Sequence, residues 1–207
     1  MRLLISDKGV ALVTSLLLTL ISLAITLALL SFIVAGTKIS ASHRRYSNSL
    51  SAAYGGVDVT TKDLVPKLFA GSGVNVLTST FSSINLSVQS SSDCLTQKLF
   101  TPTSQWTTAV CGVNATTQNA VIAPDFRFTL NGTTAATHYN VFAKIIDTVP
   151  GNSDMSGVAD LDPGIAVAGS NPGVSPQHLP AMITLEVEGS QGSNPREKAD
   201  LSVLYAY

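Results

Sequence analysis

Residues 9–37 carry no charged side chain, and Lys8-Gly9 stands at the head of that run. At about 1.5 Å of rise per residue, some 26 helical residues would span roughly 39 Å, more than a hydrocarbon core of about 30 Å. After Thr37 the chain turns polar, with Lys38, His43, Arg44 and Arg45 marking the end of the apolar run. Tyr46, Leu50, Ala53, Val57, Leu64 and Leu68 then recur at helical spacing among Ser, Asn, Lys and Asp, the pattern of an amphipathic helix with one face on a folded domain. Gly55-Gly56 predicts a soft spot or kink, since each glycine costs about 1 kcal/mol against alanine in a helix. Pro66 predicts the terminus, because proline disfavours helix at the residue before it. One helix is therefore expected over residues 10–64, hydrophobic first and amphipathic afterwards.

Residues 70–207 are rich in Ser, Thr, Gly, Asn and Pro, and their apolar runs are short and alternating. Phe126, Phe128 and Leu130 alternate with polar partners before the turn signal Asn131-Gly132. Residues 138–149 read as a longer strand ended by Pro150-Gly151. Ile183, Leu185 and Val187 share one face, as do Leu201, Val203, Tyr205 and Tyr207, so these two runs predict a hairpin across residues 189–198. Weaker strand signals lie at residues 74–77, 84–88 and 106–113. The expected fold is α+β: a long N-terminal helix on an antiparallel sheet of four to six strands, with about 140 residues in one exported core.

Three readings compete for the apolar segment. A cleaved secretory signal has a shorter apolar region of about 7–15 residues and a small-residue cleavage site. A single-pass anchor is the simplest alternative. The third is a prepilin, whose leader at residues 1–9 is cut after Gly9. Ser15, Thr19, Ser22 and Thr26, spaced four, three and four apart, lie on one helical face. Small hydroxylated stripes let helices pack together in apolar surroundings. Hydroxyls bonded back to their own helix, however, need no partner.

The two cysteines, Cys94 and Cys111, form no CxxC motif, which leaves a disulfide or two buried thiols. A disulfide closing that loop would stabilise by about 3 kcal/mol. Basic residues flank both ends of the apolar run, so charge alone does not orient it. Ser/Thr-rich composition, few charges and the cysteine pair favour an exported domain.

Residues 8–14 (KGVALVT) and 50–57 (LSAAYGGV) resemble the first helix of type IV pilins, and within them the PilX-type minor pilins. The resemblance implies cleavage after Gly9 by a prepilin peptidase and a methylated N-terminus at Val10. It implies a filament-core helix over residues 10–36, an amphipathic helix over 37–66 and a β-rich domain over 70–207. Residence in a bacterial inner membrane would precede passage into an extracellular pilus. The implied partners are the major pilin, other minor pilins, a pilus-tip adhesin and the inner-membrane assembly platform. Three positions depart from the family pattern: Val10 and Thr14 stand where major pilins carry Phe at the first and Glu at the fifth mature position, and Tyr54 where the PilX-type stretch has Glu. In the family that fifth-position Glu pairs with a neighbouring subunit's N-terminal amine. A subunit with nobody ahead of it has no use for the carboxylate, so Thr14 suits a minor pilin at or near the tip. A type II secretion pseudopilin and a non-polymerising tethered binding domain remain as alternatives.

His43, His138 and His178 have no metal-ligand or triad companions in sequence, and neither GxSxG nor a phosphate loop occurs. No enzyme activity or cofactor is therefore expected. Net charge is −1 with no basic stripe, which argues against direct nucleic-acid binding. Asp154, Asp160 and Asp162, with Asn152, form a calcium candidate by ligand type. Their spacing is not that of an EF-hand, and such loops are ordinarily turns. The sequons at Asn85, Asn114 and Asn131 carry no weight in a Ser/Thr-rich chain.

Overall fold

A computed structural model of the chain describes residues 7–132, 137–151, 180–192 and 196–207. The chain divides into two compact units, one ending at Arg45 and the other running Tyr46–Tyr207. Helix α1, Asp7–Val59, supplies the whole described part of the first unit and opens the second.

Within the second unit, the residues of α1 after Arg45 pack on a five-stranded sheet. Ala53 and Leu64 are fully buried, Leu68 nearly so, and Val57 lies against the core, as the amphipathic pattern predicts. Tyr46 is the exception and stays exposed. Gly55-Gly56 produces no break in α1. A Cβ on Gly56 would lie 2.5 Å from Val141 Cγ1, and one on Gly55 would lie 3.1 Å from Leu130 Cδ1. The glycines thus let the helix approach the sheet, and the expected kink is corrected to a contact.

The irregularity comes one turn later. Residues Thr60–Leu64 form a wide π turn, with the Thr60 and Thr61 hydroxyls donating back to the Gly56 and Val57 carbonyls at 2.8 Å. Hydroxyls bonded in this way loosen a helix locally. Pro66 does not end the helix as expected. It occupies the first turn of α2, Val65–Phe69, where a missing N–H costs least.

Helix α3, Val74–Thr80, follows, then a short 3-10 turn at Ser82–Ile84 and the two-residue strand β1, Ser87–Val88. Next come α4, Ser92–Phe100, and the single-turn α5, Thr108–Cys111. The strand expected at 74–77 is therefore helical, the one expected at 106–113 holds the helical turn Thr108–Cys111 and no strand, and only the end of 84–88 is strand. Val74, Leu77 and Phe81 are spaced three and four apart, so the apolar face follows the helical period despite the β-branched composition. Thr108–Cys111 is too short for its own periodicity to show.

The remaining strands are β2, Phe126–Asn131; β3, His138–Val149; β4, Met182–Gln191; and β5, Lys198–Ala206. All neighbours are antiparallel, in the order β1-β2-β3-β4-β5. Phe126, Phe128, Val141, Ala143, Ile145, Ile183, Leu185 and Val187 build the buried face with Leu64, Val65 and Leu77. The α+β expectation holds at this level, and the hairpin of β4 and β5 falls where alternation put it.

Candidate functional site

Two regions of the chain carry its chemistry, and they belong to different units. In the first unit, every large apolar side chain of α1 from Val10 through Ile39 is exposed, with Phe32 at 76%. The most apolar 18-residue window has a mean hydropathy of 2.6 and none of it is buried. By length and composition this helix is a candidate membrane span. Uncharged residues at that density are stable only in lipid or against other apolar surfaces.

The predicted stripe is present and exposed at Ser15, Thr19, Ser22 and Thr26. Ser15, Thr19 and Thr26 donate to the carbonyls of Leu12, Leu16 and Leu23 at 2.8–2.9 Å. Thr14 donates to Ala11 O at 3.0 Å. These hydroxyls are satisfied within their own helix, so what they offer a neighbour is small size. Gly9 lies within α1 and Val10 is half exposed.

In the second unit, a buried clamp fixes the segment between β1 and β2. Cys94, in the first turn of α4, is disulfide-bonded to Cys111 at the end of α5, with Cα atoms 4.9 Å apart. Ser91 caps α4 by accepting from the Cys94 N–H. Inside this loop Lys98 reaches Asp125, with Nζ 2.8 and 2.7 Å from the two carboxylate oxygens, and both side chains are essentially inaccessible. Asp125 also accepts from the Ser90 hydroxyl and from the Ile145 N–H at 2.8 Å. Three donor groups making four hydrogen bonds to one carboxylate are what a buried charge requires.

Lys144, buried on β3, donates to the carbonyls of Asn114 and Ile122 and so ties residues 112–124 to the sheet. Burial, and then the nearby Lys98 charge, hold its amine below the ordinary lysine value, with Asp125 opposing them. Thr148 donates its hydroxyl to Lys98 O, and its N–H to Thr103 Oγ1 at 2.8 Å. The disulfide loop is therefore presented as a rigid surface. Lys98, Asp125 and Lys144 were not singled out from sequence. The one signal available was Lys144 inside the apolar run Phe142–Ile145; Lys98 sits in the mixed stretch Leu95–Leu99, where nothing local marks it.

A second buried carboxylate lies across β4 and β5. Glu188 accepts from Lys198 Nζ at 2.7 Å and stands directly opposite Asp200. Burial raises the Glu188 pKa first of all, and the bond from Lys198 works against it. The same bond raises Lys198.

Among the described residues no group of three His, Cys, Asp or Glu could hold a metal ion. His43 is exposed, and His138 shares a 2.9 Å contact with Asn131 Oδ1. The calcium candidate Asp154, Asp160 and Asp162, with His178, lies outside the described residues. No protein-family model, curated protein or solved structure matches the chain. What the fold itself defines is the class: a pilin-like α+β chain with a long N-terminal helix and a five-stranded antiparallel sheet.

Proposed function

We propose that this chain is a minor type IV pilin, an assembly and structural protein, processed after Gly9 and inserted at or near the tip of a filament. The observation that carries the reading is one continuous helix with two characters: uncharged and wholly exposed over residues 10–37, then amphipathic and packed on a sheet after Arg45. Such a segment suits storage in a bilayer and later packing against other apolar helices. Thr14 supports a terminal place in the filament, since its hydroxyl is satisfied by Ala11 O and offers no charge to a subunit ahead. The rigid disulfide loop and residues 114–123 are the surfaces the domain would display to other tip proteins or an adhesin.

The test is the mass and N-terminal sequence of the mature chain from cells with and without a prepilin peptidase. A peptidase-dependent start at methylated Val10 supports the proposal. An intact Met1, or cleavage near Ala41, overturns it. Loss of surface pili on deletion, with secretion intact, separates the pilus from a secretion pseudopilus.

One observation favours a second reading, a tethered exported binding domain. The Ser15, Thr19 and Thr26 hydroxyls are already bonded within their helix, so the stripe demands no partner. That reading predicts an uncleaved chain that tolerates any apolar helix.

A further inference from the structure

The cations at the end of the candidate span have no counter-ion in the fold. No Asp or Glu occurs between Asp7 and Asp58. Lys38, Arg44 and Arg45 lie in that interval, all exposed, and none forms an ion pair among the described residues. Helix geometry sorts them. Lys38 and Arg45 stand seven residues apart in α1, so they fall within about 20° of one another, with about 10 Å between them along the axis. The small residues Ala41 and Ser42 lie between them on that face. Arg44 is turned about 100° away from Arg45.

The same face continues back into the apolar run. Leu27, Leu30, Ser31, Val34, Ala35 and Lys38 line an open groove of about 410 Å³, in which the small Ser31 and Ala35 stand among larger neighbours. From Leu27 to Lys38 the helix rises about 16 Å, close to the hydrocarbon depth of one leaflet, about 15 Å. An apolar groove one leaflet deep thus opens onto two cations, Lys38 and Arg45, that share its face.

We infer that this face of α1 binds an anionic phospholipid, an inference that rests on the reading of α1 as a membrane segment. One acyl chain lies along the groove, and the headgroup phosphate sits over Ala41 and Ser42 between the Lys38 ammonium and the Arg45 guanidinium. Phosphate suits this pair, because a guanidinium engages two of its oxygens at once while lysine serves as a point charge. A zwitterionic headgroup already carries its own cation and gains less. The long stems of both side chains can lie along the helix while their charged ends reach the headgroup layer. The bound lipid fixes the depth of an apolar run that is longer than the hydrocarbon core it crosses.

The test is native mass spectrometry of the full chain released from detergent micelles, titrated with phosphatidylglycerol or with phosphatidylcholine of the same acyl chains. Phosphatidylglycerol is expected to bind first, as a single molecule and at the lower concentration. Lys38→Gln and Arg45→Gln should each weaken that binding about fivefold, and together about twenty-five-fold. Arg44→Gln removes the same charge from another face and should leave it nearly unchanged. Equal binding of the two lipids overturns the inference and leaves an acidic face of another protein as the counter-ion. An equal loss in Arg44→Gln also overturns it, as does displacement by inorganic phosphate but not by chloride of the same ionic strength. Reconstitution into pure phosphatidylcholine vesicles separates this site from the membrane reading. A chain that enters those vesicles yet shows no preference for phosphatidylglycerol keeps its span and loses the site. A chain that enters neither those vesicles nor ones containing phosphatidylglycerol overturns both.

Discussion

A Cβ on Gly189 would stand 2.6 Å from the backbone nitrogen of Ala53. The same atom would stand 2.6 Å from the Ser49 carbonyl, so strand β4 and helix α1 meet backbone to backbone at this point. Neither neighbour is a side chain that can rotate away. Gly189→Ala is therefore expected to destabilise the domain by about 3 kcal/mol or more, the upper range for overpacking. Urea denaturation of the detergent-solubilised chain measures it. Gly36→Ala, within α1 and with nothing within 4 Å of a new Cβ, is the control and should not lower the midpoint.

Gly56 is the milder case, because the obstructing atom belongs to a side chain, Val141 Cγ1 at 2.5 Å. Gly56→Ala should cost about 1–3 kcal/mol. Paired with Val141→Ala, which empties the space the new methyl needs, it should cost clearly less than the sum of the two single variants. Strict additivity in a double-mutant cycle would show that the glycine is there for some other reason.

These contacts also show what could be read in advance. The charge-free run and the period-2 strands were legible because each is a local pattern that one face of one element imposes. Residues 138–149 form β3 with the expected bounds for that reason. The glycine pair was read as a weakness because helix propensity is local, whereas its use depends on β2, β3 and β4, far off in sequence. Helix α4 was missed although Leu95 and Leu99 sit four apart behind the capping Ser91. Lys98 and Lys144 were silent for a deeper reason. A buried lysine and an exposed one look the same in a sequence, and the difference is made by Asp125 and the carbonyls of Asn114 and Ile122.

Reduction of Cys94–Cys111, or the double Ser variant, should lower stability by about 3 kcal/mol, the chain-entropy value for a loop this long. In a domain of this size that corresponds to a fall in Tm of roughly 6–12 °C. Calorimetry with and without reductant reads it. Because Lys98 and Thr148 still hold α4 on β3, the sheet's far-UV signature should persist below the new midpoint.

Lys98→Met leaves the Asp125 carboxylate buried with the Ser90 and Ile145 donors but without its bonded countercharge, Lys144 acting on it only through space. Breaking one side of a buried pair costs about 3–5 kcal/mol. Adding Asp125→Asn removes the stranded charge and should restore part of that loss, so the double variant is expected to be more stable than Lys98→Met alone. Thermal melts of the three proteins give the order. A double variant no better than the single would mean that Asp125 acts mainly through its hydrogen bonds to Ser90 and Ile145.

Glu188 gives the domain a pH dependence of unusual sign. Burial raises its folded-state pKa above the unfolded value, despite the bond from Lys198. The native state then holds the proton more tightly than the unfolded chain, and stability from this group is fully present below the ordinary glutamate pKa. That contribution is lost as pH rises through the raised value. Lys198, whose pKa the same bond raises, contributes in the opposite range, with stability present up to the ordinary lysine value and lost above it. Glu188→Gln cannot titrate. Its stability relative to the native chain should therefore increase as pH is raised from about 4 toward neutrality. Urea midpoints of the two proteins across that interval decide the matter. A difference that stays flat, or runs the other way, would mean that the Lys198 bond outweighs burial at Glu188.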